Sequence, residues 1–271
     1  MQLSLIIAVY NKADILRLVL LTCARQTFRD FEIIIADDGS GPEVAEAIEE
    51  ARREFTLDIQ HLWHPDEGWR KNMMLNKAIR AARTDYLVFI DGDCLLHHKF
   101  LEDHFREREE KYALCGRRVE MGARWATKLG VDFIRSGKYE RFGLVDLWEG
   151  LTGRSQRVED ALRITNRSLA NLLHGKEVGL LGSNFSIYKR HLEAINGFDE
   201  LYKTPGCGED SDIQYRLALA GIKCKSIRHK AIQYHVYHNR GPIPVASLQR
   251  FEEVKRRGTY RCDNGLVKLH L

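Results

Sequence analysis

Residues 86–94 read YLVFIDGDC, an apolar run that ends in two carboxylates separated by one glycine. The apolar part has the length and composition of a buried β-strand. In an extended segment residues i and i+2 point to the same side, so Asp91 and Asp93 can face one ligand. A polar turn that closes the strand is the simpler interpretation. The triplet taken alone leaves both interpretations open.

The chain before this stretch alternates between strand and helix patterns. Three near-continuous apolar runs predict strands, and three amphipathic stretches predict helices. The strands are expected at 3–10, 31–37 and 57–64, and the helices at 14–27, 43–55 and 70–83. Strands and helices that alternate in this way form a mostly parallel sheet with helices on both faces. We therefore expect a Rossmann-like α/β fold in a single domain.

Polar segments follow each of the predicted strands. They read AVYN, ADDGS, PDEG and DGDC. In open α/β sheets, ligands bind beyond the carboxyl ends of the strands, where the strand order reverses. We therefore expect a binding site where these four segments meet. Within them Tyr10 could lie on a nucleotide base, and Asp38 could accept a hydrogen bond from a base or ribose. Plain packing explains Tyr10 equally well, and an Asx-turn explains Asp38. The nearby Arg70 could balance diphosphate charge, although an exposed arginine at a helix start is common.

The second half of the sequence is less regular. Residues 115–180 are rich in Arg, Gly and Trp and predict a long variable excursion. Strand and helix patterns resume at 179–190 and 208–223, and a further strand is expected at 231–241. The helix at 247–261 could be a lid, a contact with an anionic membrane, or a helix packed on the domain.

The composition excludes several classes of protein. Hydrophobic residues make up 44% and charged residues 30%, and the net charge of +4 is too small to indicate nucleic-acid binding. There is no cationic leader and no apolar run long enough to cross a membrane. The 6 cysteines form no C-x-x-C pair, which favours free thiols in the cytoplasm. The sequence lacks G-x-G-x-x-G, Walker and H-E-x-x-H motifs, which disfavours dehydrogenases, P-loop enzymes and zincins.

An acidic cluster, GEDSD at 208–212, begins the predicted helix in the second half. Acids at a helix N-terminus are stabilising, and capping accounts fully for Asp212. Glu209 and Asp210 follow a glycine-containing loop that could bring them into a cleft. A carboxylate there could deprotonate a hydroxyl as its oxygen attacks an activated carbon.

Two histidines, His235 and His238, lie in the segment YHVYHNR. They are three residues apart, so in a strand they would face opposite sides, and we expect only one of them to reach a metal. His235 with Asp93 would form a mixed nitrogen and oxygen site that suits Mn²⁺ better than Ca²⁺.

The order of these motifs resembles the inverting nucleotide-sugar glycosyltransferases of family 2, which have the GT-A fold. The resemblance rests on SLIIAVYNKADIL, QTFRDFEIIIADDGS, NKAIRAARTDYLVFIDGDC, GSNFSIYKR, INGFDE and GEDSDIQYRLALAG. These stretches cover about 1–105 and 179–240, and the second of these regions also resembles galactosyltransferases and bacterial chondroitin-polymerase-type domains. Members of the galactosyltransferase type often carry Trp where Cys207 stands, and residues 115–178 match no part of the pattern.

The resemblance implies a role for each candidate residue. Asp210 would be the general base, and Glu209 would hold the acceptor. Asp93 and His235 would bind Mn²⁺ or Mg²⁺, with Asp91 beside them and His238 as the alternative ligand. The implied nucleotide-binding residues are Ala8, Tyr10, Asp38, Arg70, Asp91 and Gly92.

The implied activity is transfer of a sugar from a nucleotide-sugar, with UDP favoured, to a hydroxyl of a glycan or glycolipid in surface polysaccharide synthesis. Residues 1–105 would bind the nucleotide-sugar, 106–240 would bind the acceptor and carry catalysis, and 241–271 would form a C-terminal helix and tail. The protein is expected in the cytoplasm, with peripheral attachment to the inner face of the membrane left open. A nucleotidyltransferase and a degenerate sugar-nucleotide or glycan binding module are the alternatives.

Overall fold

The computed structural model describes residues 1–122, 125, 127–141, 157–165, 179–208, 210–236, 238 and 242–268. Short 3-10 turns occur at Lys138–Glu140 and Val158–Ala161. The strands are β1 (Leu3–Val9), β2 (Phe31–Asp37), β3 (Ile59–Trp63), β4 (Tyr86–Asp91), β5 (Cys94–Leu96), β6 (Tyr112–Cys115), β7 (Arg118–Glu120), β8 (Asn184–Tyr188), β9 (Lys223–Ser226) and β10 (Gln233–His235). The helices are α1 (Ala13–Ala24), α2 (Pro42–Glu54), α3 (Lys71–Ala81), α4 (Phe100–Glu107), α5 (Val131–Arg135), α6 (Lys189–Ala194), α7 (Ser211–Leu219) and α8 (Val245–Arg257).

The main sheet has 7 strands in the order β3-β2-β1-β4-β8-β6-β9. Only β8 runs antiparallel to its neighbours, so the expected mostly parallel sheet is confirmed. The chain leaves β1 on one side to form β2 and β3, and it returns on the other side of β1 with β4. The reversal of strand order therefore lies between β1 and β4, which places a crevice beyond their carboxyl ends.

Both faces of this sheet are buried, as the continuous apolar strands predict. Along β1, Leu5 and Ile7 belong to one apolar cluster together with Val19 of α1. The alternate residue Ile6 belongs to a second cluster, which includes Met74 of α3. The alternation follows from the two-residue period of a strand, and the polar residue within β1, Ser4, is buried with its hydroxyl donating to Glu32 at 2.7 Å.

A second, smaller sheet has the order β5-β10-β7. Strand β5 begins directly after Asp93, and β10 pairs with it in antiparallel fashion, with His235 opposite Cys94. On its other side β10 runs parallel to β7, with His235 opposite Glu120. Three segments distant in sequence are therefore brought together next to the Asp91–Gly92–Asp93 turn.

Helix α7 begins differently from the sequence expectation. Its N-cap is Asp210, whose carboxylate accepts a hydrogen bond from the backbone N–H of Ser211 at 2.5 Å. Asp212, expected to cap the helix, is fully buried and ion-paired with Arg216 one turn later. The N-cap residue is therefore two positions earlier than expected, and the Asp212 side chain is buried in the core.

Helix α8 packs on the domain through part of its surface. Val254 is buried, the ring of Phe251 lies 6.2 Å from that of Tyr215, and Arg250 pairs with buried Asp199 at 2.6 Å. These contacts favour the packed helix over a detached lid. Among the described residues, none of the helices is both long enough and apolar enough to cross a bilayer.

Two buried histidines predict that the protein loses stability in mild acid. Burial lowers the pKa of His97 to about 4 and that of His104 to about 3, from an ordinary value of 6.5. The unfolded chain therefore binds more protons than the folded one below pH 6.5. The free energy of unfolding is unaffected by these groups at higher pH and falls with decreasing pH, by roughly 1.4 kcal/mol per pH unit for each imidazole.

Urea unfolding at about pH 7 and about pH 5 measures this effect. We expect a lower urea midpoint at the acidic pH, and a smaller decrease in the His104→Gln variant, which has no titrating imidazole at that position. The control is His191→Gln, because His191 is only partly buried. Equal losses of stability in the wild-type and His104→Gln proteins would contradict the prediction.

Candidate active site

A cavity of about 460 Å³ opens beyond the carboxyl ends of the central strands. The ends of β1 and β4, the loops after β2 and β3, and the start of α3 all contribute to its wall. The lining residues are Ala8, Val9, Tyr10, Asn11, Lys12, Asp38, Asp66, Gly68, Trp69, Lys71, Asp91, Gly92, Asp93, Pro205 and His238. The four polar segments that follow the predicted strands therefore meet at one site, at the reversal of strand order.

Asp91, the last residue of β4, is paired with two cations. Lys71 Nζ lies 2.7 Å from Asp91 Oδ1, and an Arg118 guanidinium nitrogen lies 4.0 Å from Oδ2. Burial alone would raise the pKa of Asp91, but Lys71 and Arg118 outweigh that effect and lower it. The group is therefore a carboxylate at neutral pH, surrounded by positive charge that a diphosphate could also use.

Asp93 forms a cluster with both histidines of the YHVYHNR segment. His235 Nε2 lies 3.5 Å from Asp93 Oδ1, and His238 Nε2 lies 3.2 Å from Oδ2. The expectation that only one histidine could reach this point is wrong. Strand β10 ends at His235, so the two-residue alternation that would separate the two histidines does not extend to His238.

A second carboxylate orients His235. Glu120 Oε2 lies 2.9 Å from His235 Nδ1, and Glu120 is held in turn by Arg118, whose Nε donates to Oε1 at 2.9 Å. This contact occupies Nδ1 and leaves Nε2 directed toward Asp93, where a cation between the two groups would bind both. A carboxylate behind a histidine in this way is the usual arrangement around a metal-binding imidazole.

The donor set of this cluster fits a divalent transition metal. Ligand atoms of Asp93, His235 and His238 all lie within 4.8 Å of one another. One carboxylate and two imidazoles suit Mn²⁺ and other first-row metals, whereas Ca²⁺ prefers oxygen ligands only. Asp91 is not one of these three potential ligands, and its carboxylate is paired with Lys71 instead.

Tyr10 and Asp38 also line the cavity. Tyr10 is 54% exposed, and its hydroxyl donates to Asp66 Oδ2 at 2.9 Å. That hydrogen bond raises the pKa of the Tyr10 phenol. Asp38 is nearly buried and contacts His64 Nε2 at 2.8 Å. An exposed aromatic ring beside a fixed carboxylate can hold a planar, hydrogen-bonding ring such as a nucleotide base.

Of the three other predicted nucleotide-binding residues, Ala8 and Gly92 lie at the cavity and Arg70 does not. Ala8 and Gly92 line the cavity, and a side chain at Gly92 would come within 3.1 Å of the Ala8 carbonyl oxygen. The close approach of this turn to the end of β1 therefore favours glycine. The guanidinium of Arg70 contacts Glu67 at 2.6 Å, and Arg70 does not line the cavity. Lys71 lines the cavity in place of Arg70.

Asp210 is the N-cap residue of α7. Burial raises the pKa of Asp210, an effect that the Ser211 backbone N–H and Lys71 partly oppose and that Asp91 reinforces. The charges that act on Asp210 therefore include those of Lys71 and Asp91, two residues that line the cavity. A carboxyl group with a raised pKa is a better proton acceptor than an ordinary aspartate. Glu209 lies outside the described residues.

A second cluster of potential ligands has a different explanation. Ligand atoms of His97, His98 and Glu140 also lie within 4.8 Å of one another. Glu140, however, already accepts His98 Nδ1 at 2.6 Å and Arg25 at 2.9 Å. The arginine supplies the positive charge that a metal would bring, so the cluster is an ion pair that attaches the segment after α5 to β5.

Residues 4–171 match the family described as "Glycosyl transferase family 2", and residues 173–239 match the one described as "N-terminal domain of galactosyltransferase". The chondroitin synthase of Escherichia coli is 29% identical over 255 residues, which cover 86% of this chain. This chain spans about a third, 34%, of that protein.

Solved structures show the same fold. TarS of S. aureus, residues 1–349 in complex with UDP, superposes with a TM-score of 0.61 at 18% identity, over 95% of this chain and 64% of that one. The mannosyltransferase PcManGT from Pyrobaculum calidifontis, in complex with GDP-Man and Mn²⁺, superposes with a TM-score of 0.58 at 13% identity, over 95% of this chain and 69% of that one. The fold is therefore GT-A, and because the family match extends over more than half of the sequence, the chain belongs to glycosyl transferase family 2.

Proposed function

We propose that this chain transfers a sugar, with inversion, from a nucleotide-sugar to a hydroxyl group of a glycan or lipid-linked acceptor. The observation that carries the proposal is that the Asp93–His235–His238 cluster borders the same cavity as Tyr10 and Asp38. Tyr10 and Asp38 suit a base, and the cluster suits the cation that accompanies a diphosphate.

The residues of the site divide the work of such a reaction. Tyr10 and Asp38 hold the base and ribose, and Lys71 and Lys12 offer positive charge where the diphosphate would lie. Asp93, His235 and His238 would hold Mn²⁺ or Mg²⁺, which when bound neutralises the leaving diphosphate. Asp210 accepts the proton of the acceptor hydroxyl, and a single displacement then inverts the anomeric carbon.

UDP is the nucleotide that we favour. TarS was solved with UDP, and GDP is the second choice because PcManGT was solved with GDP-Man. The similarity to a chondroitin synthase supports a role in surface polysaccharide synthesis. We propose that the protein acts in the cytoplasm or at the inner face of the membrane. The division at residues 105 and 240 stays a prediction.

Thermal melting with UDP, GDP, TDP or CMP, each with and without Mn²⁺, tests the proposal. A ligand that binds only the folded state at about a hundred times its Kd adds roughly 2.7 kcal/mol to the free energy of unfolding. For a chain of this size that corresponds to roughly 5–10 °C in Tm. We expect this shift with UDP and Mn²⁺ together.

The Asp93→Ala variant is the matched test of the metal site. We expect it to fold, since Asp93 lies at the cavity wall, and to lose the part of the shift that requires Mn²⁺. A wild-type protein whose Tm responds to no nucleotide, with or without metal, would overturn the proposal.

A further inference from the structure

Asp91, at the end of β4, and Asp93, just after it, are each paired with a lysine. Lys71 Nζ contacts Asp91 at 2.7 Å, and Lys12 Nζ contacts Asp93 Oδ2 at 3.2 Å. The lysines differ in their surroundings, because the side chain of Lys71 is 18% exposed and that of Lys12 is 46% exposed. Lys12 shares Asp93 Oδ2 with His238, so its ammonium group lies at the candidate cation site.

Lys12 has an unfavourable backbone conformation and an unfavourable charge for its position at the start of α1. Asn11 and Lys12 both have left-handed conformations, with φ values of 56° and 58°. Asparagine adopts this conformation readily, but for Lys12 it costs roughly 1–2 kcal/mol. Lys12 is also the N-cap of α1 and makes no side-chain capping bond. A cation at that position opposes the helix dipole, where serine or aspartate would stabilise it.

The loop is fixed in this conformation from its other side. The backbone N–H of Asn11 donates to Ser40 Oγ at 2.7 Å, and Asn11 Oδ1 accepts the N–H of Gly41 at 3.2 Å. The position of the Lys12 backbone is therefore set, while the end of its long side chain remains exposed. Strain that the surroundings maintain in this way is typical of functional positions.

We propose that Lys12 is a tethered cation that occupies Asp93 in the metal-free protein and moves to the donor diphosphate when a divalent cation takes that carboxylate. The proposal rests on the function proposed above. Two positive charges on Asp93 Oδ2 repel each other, so without nucleotide Lys12 weakens metal binding. With a diphosphate in the cavity, Lys12 gains a new anionic partner, and the binding of metal and nucleotide become mutually favourable.

Titration of free Mn²⁺ by electron paramagnetic resonance, with and without UDP, tests this role in the wild-type and Lys12→Met proteins. Methionine keeps the length of the side chain and removes its charge. Without UDP we expect Lys12→Met to bind Mn²⁺ roughly 3–10 times more tightly than the wild type, and the factor by which UDP improves Mn²⁺ binding to fall at least about tenfold. Lys12→Arg should retain most of that factor, and Lys223→Met, at an exposed position on β9, should match the wild type.

The possible results separate this proposal from the one on which it rests. If the wild type binds Mn²⁺ and UDP improves that binding equally in Lys12→Met, the role of Lys12 is overturned and the proposed transferase site stands. Weaker Mn²⁺ binding by Lys12→Met without UDP also overturns it. If the wild type binds no Mn²⁺ in either condition, the metal site itself is overturned.

Discussion

Replacing Asp210 by asparagine is expected to slow sugar transfer by roughly 10²–10⁴-fold, the range that a positioned general base contributes. Among the described residues, the hydrogen bonds of Asp210 involve Oδ1 alone, from the Ser211 backbone and hydroxyl, so Oδ2 can accept the proton of an acceptor. Asparagine caps a helix as well as aspartate does, so α7 should be retained. Its amide cannot accept a proton, and nucleotide binding should stay close to that of the wild type.

The measurement is the rate of UDP release from UDP-sugars, together with the Tm shift by UDP and Mn²⁺. Asp14→Asn is the matched control, because Asp14 is also an acid at a helix N-terminus and its side chain is 97% exposed. We expect full activity in that control. Equal rates for Asp210→Asn and the wild type would assign the proton to another group.

The nature of the product distinguishes the alternatives. Release of pyrophosphate by the wild-type protein would indicate a nucleotidyltransferase, which would have less use for a base at Asp210. A wild-type protein that binds UDP but neither transfers nor hydrolyses a sugar would be a binding module. Loss of activity in Asp210→Asn with binding retained would exclude both.

The central strands could be predicted from sequence because both of their faces are buried. Residues 3–9 carry apolar side chains at six of seven positions and residues 31–37 at five of seven, and only a strand covered on both sides accepts such a run. The polar residues that follow must then leave the core at the carboxyl ends. The positions of Tyr10, Asp38 and Asp91 follow from that rule, since parallel strands end at the same edge.

The part of the site built by the small sheet could not be predicted in the same way. Strands β5, β7 and β10 have only 3 residues each, too few for any periodicity. Their pairing joins segments more than a hundred residues apart, and the sequence holds no signal for that register. Arg118 and Glu120, which hold Asp91 and His235, were missed for this reason.

The sequence predicts Arg70 as the cation of the site, whereas the structure places Lys71 there. An uncertainty of one residue in the start of the helix explains this difference. Successive residues of a helix point in directions about 100° apart, and helix boundaries are the least certain feature of a sequence-based assignment. Helix α3 begins at Lys71, so Lys71 faces Asp91 while Arg70 turns to the loop before it. The motif GWRKN indicated a cation here without identifying which one.

Replacing Asp212 by alanine is expected to lower the free energy of unfolding by about 3–5 kcal/mol. Asp212 and Arg216 are 0% and 1% exposed, and the guanidinium also donates to the Ile195 carbonyl at 2.8 Å. Without the carboxylate, the buried guanidinium keeps its charge and loses the partner that compensates it. For a chain of this size the expected decrease in Tm is roughly 6–20 °C.

Urea unfolding of three proteins separates this cause from a general loss of packing. Asp212→Ala should be the least stable, and the double variant Asp212→Ala/Arg216→Leu should recover part of the loss, because it removes the uncompensated charge together with its partner. Arg257→Leu is the control, since Arg257 pairs with Asp263 at the surface and exposed pairs contribute at most about 1 kcal/mol. A double variant less stable than Asp212→Ala would mean that the Arg216 side chain matters for packing more than for charge. A loss below about 1 kcal/mol in Asp212→Ala would show that water reaches Arg216, and that the start of α7, which carries Asp210, is not held by this ion pair.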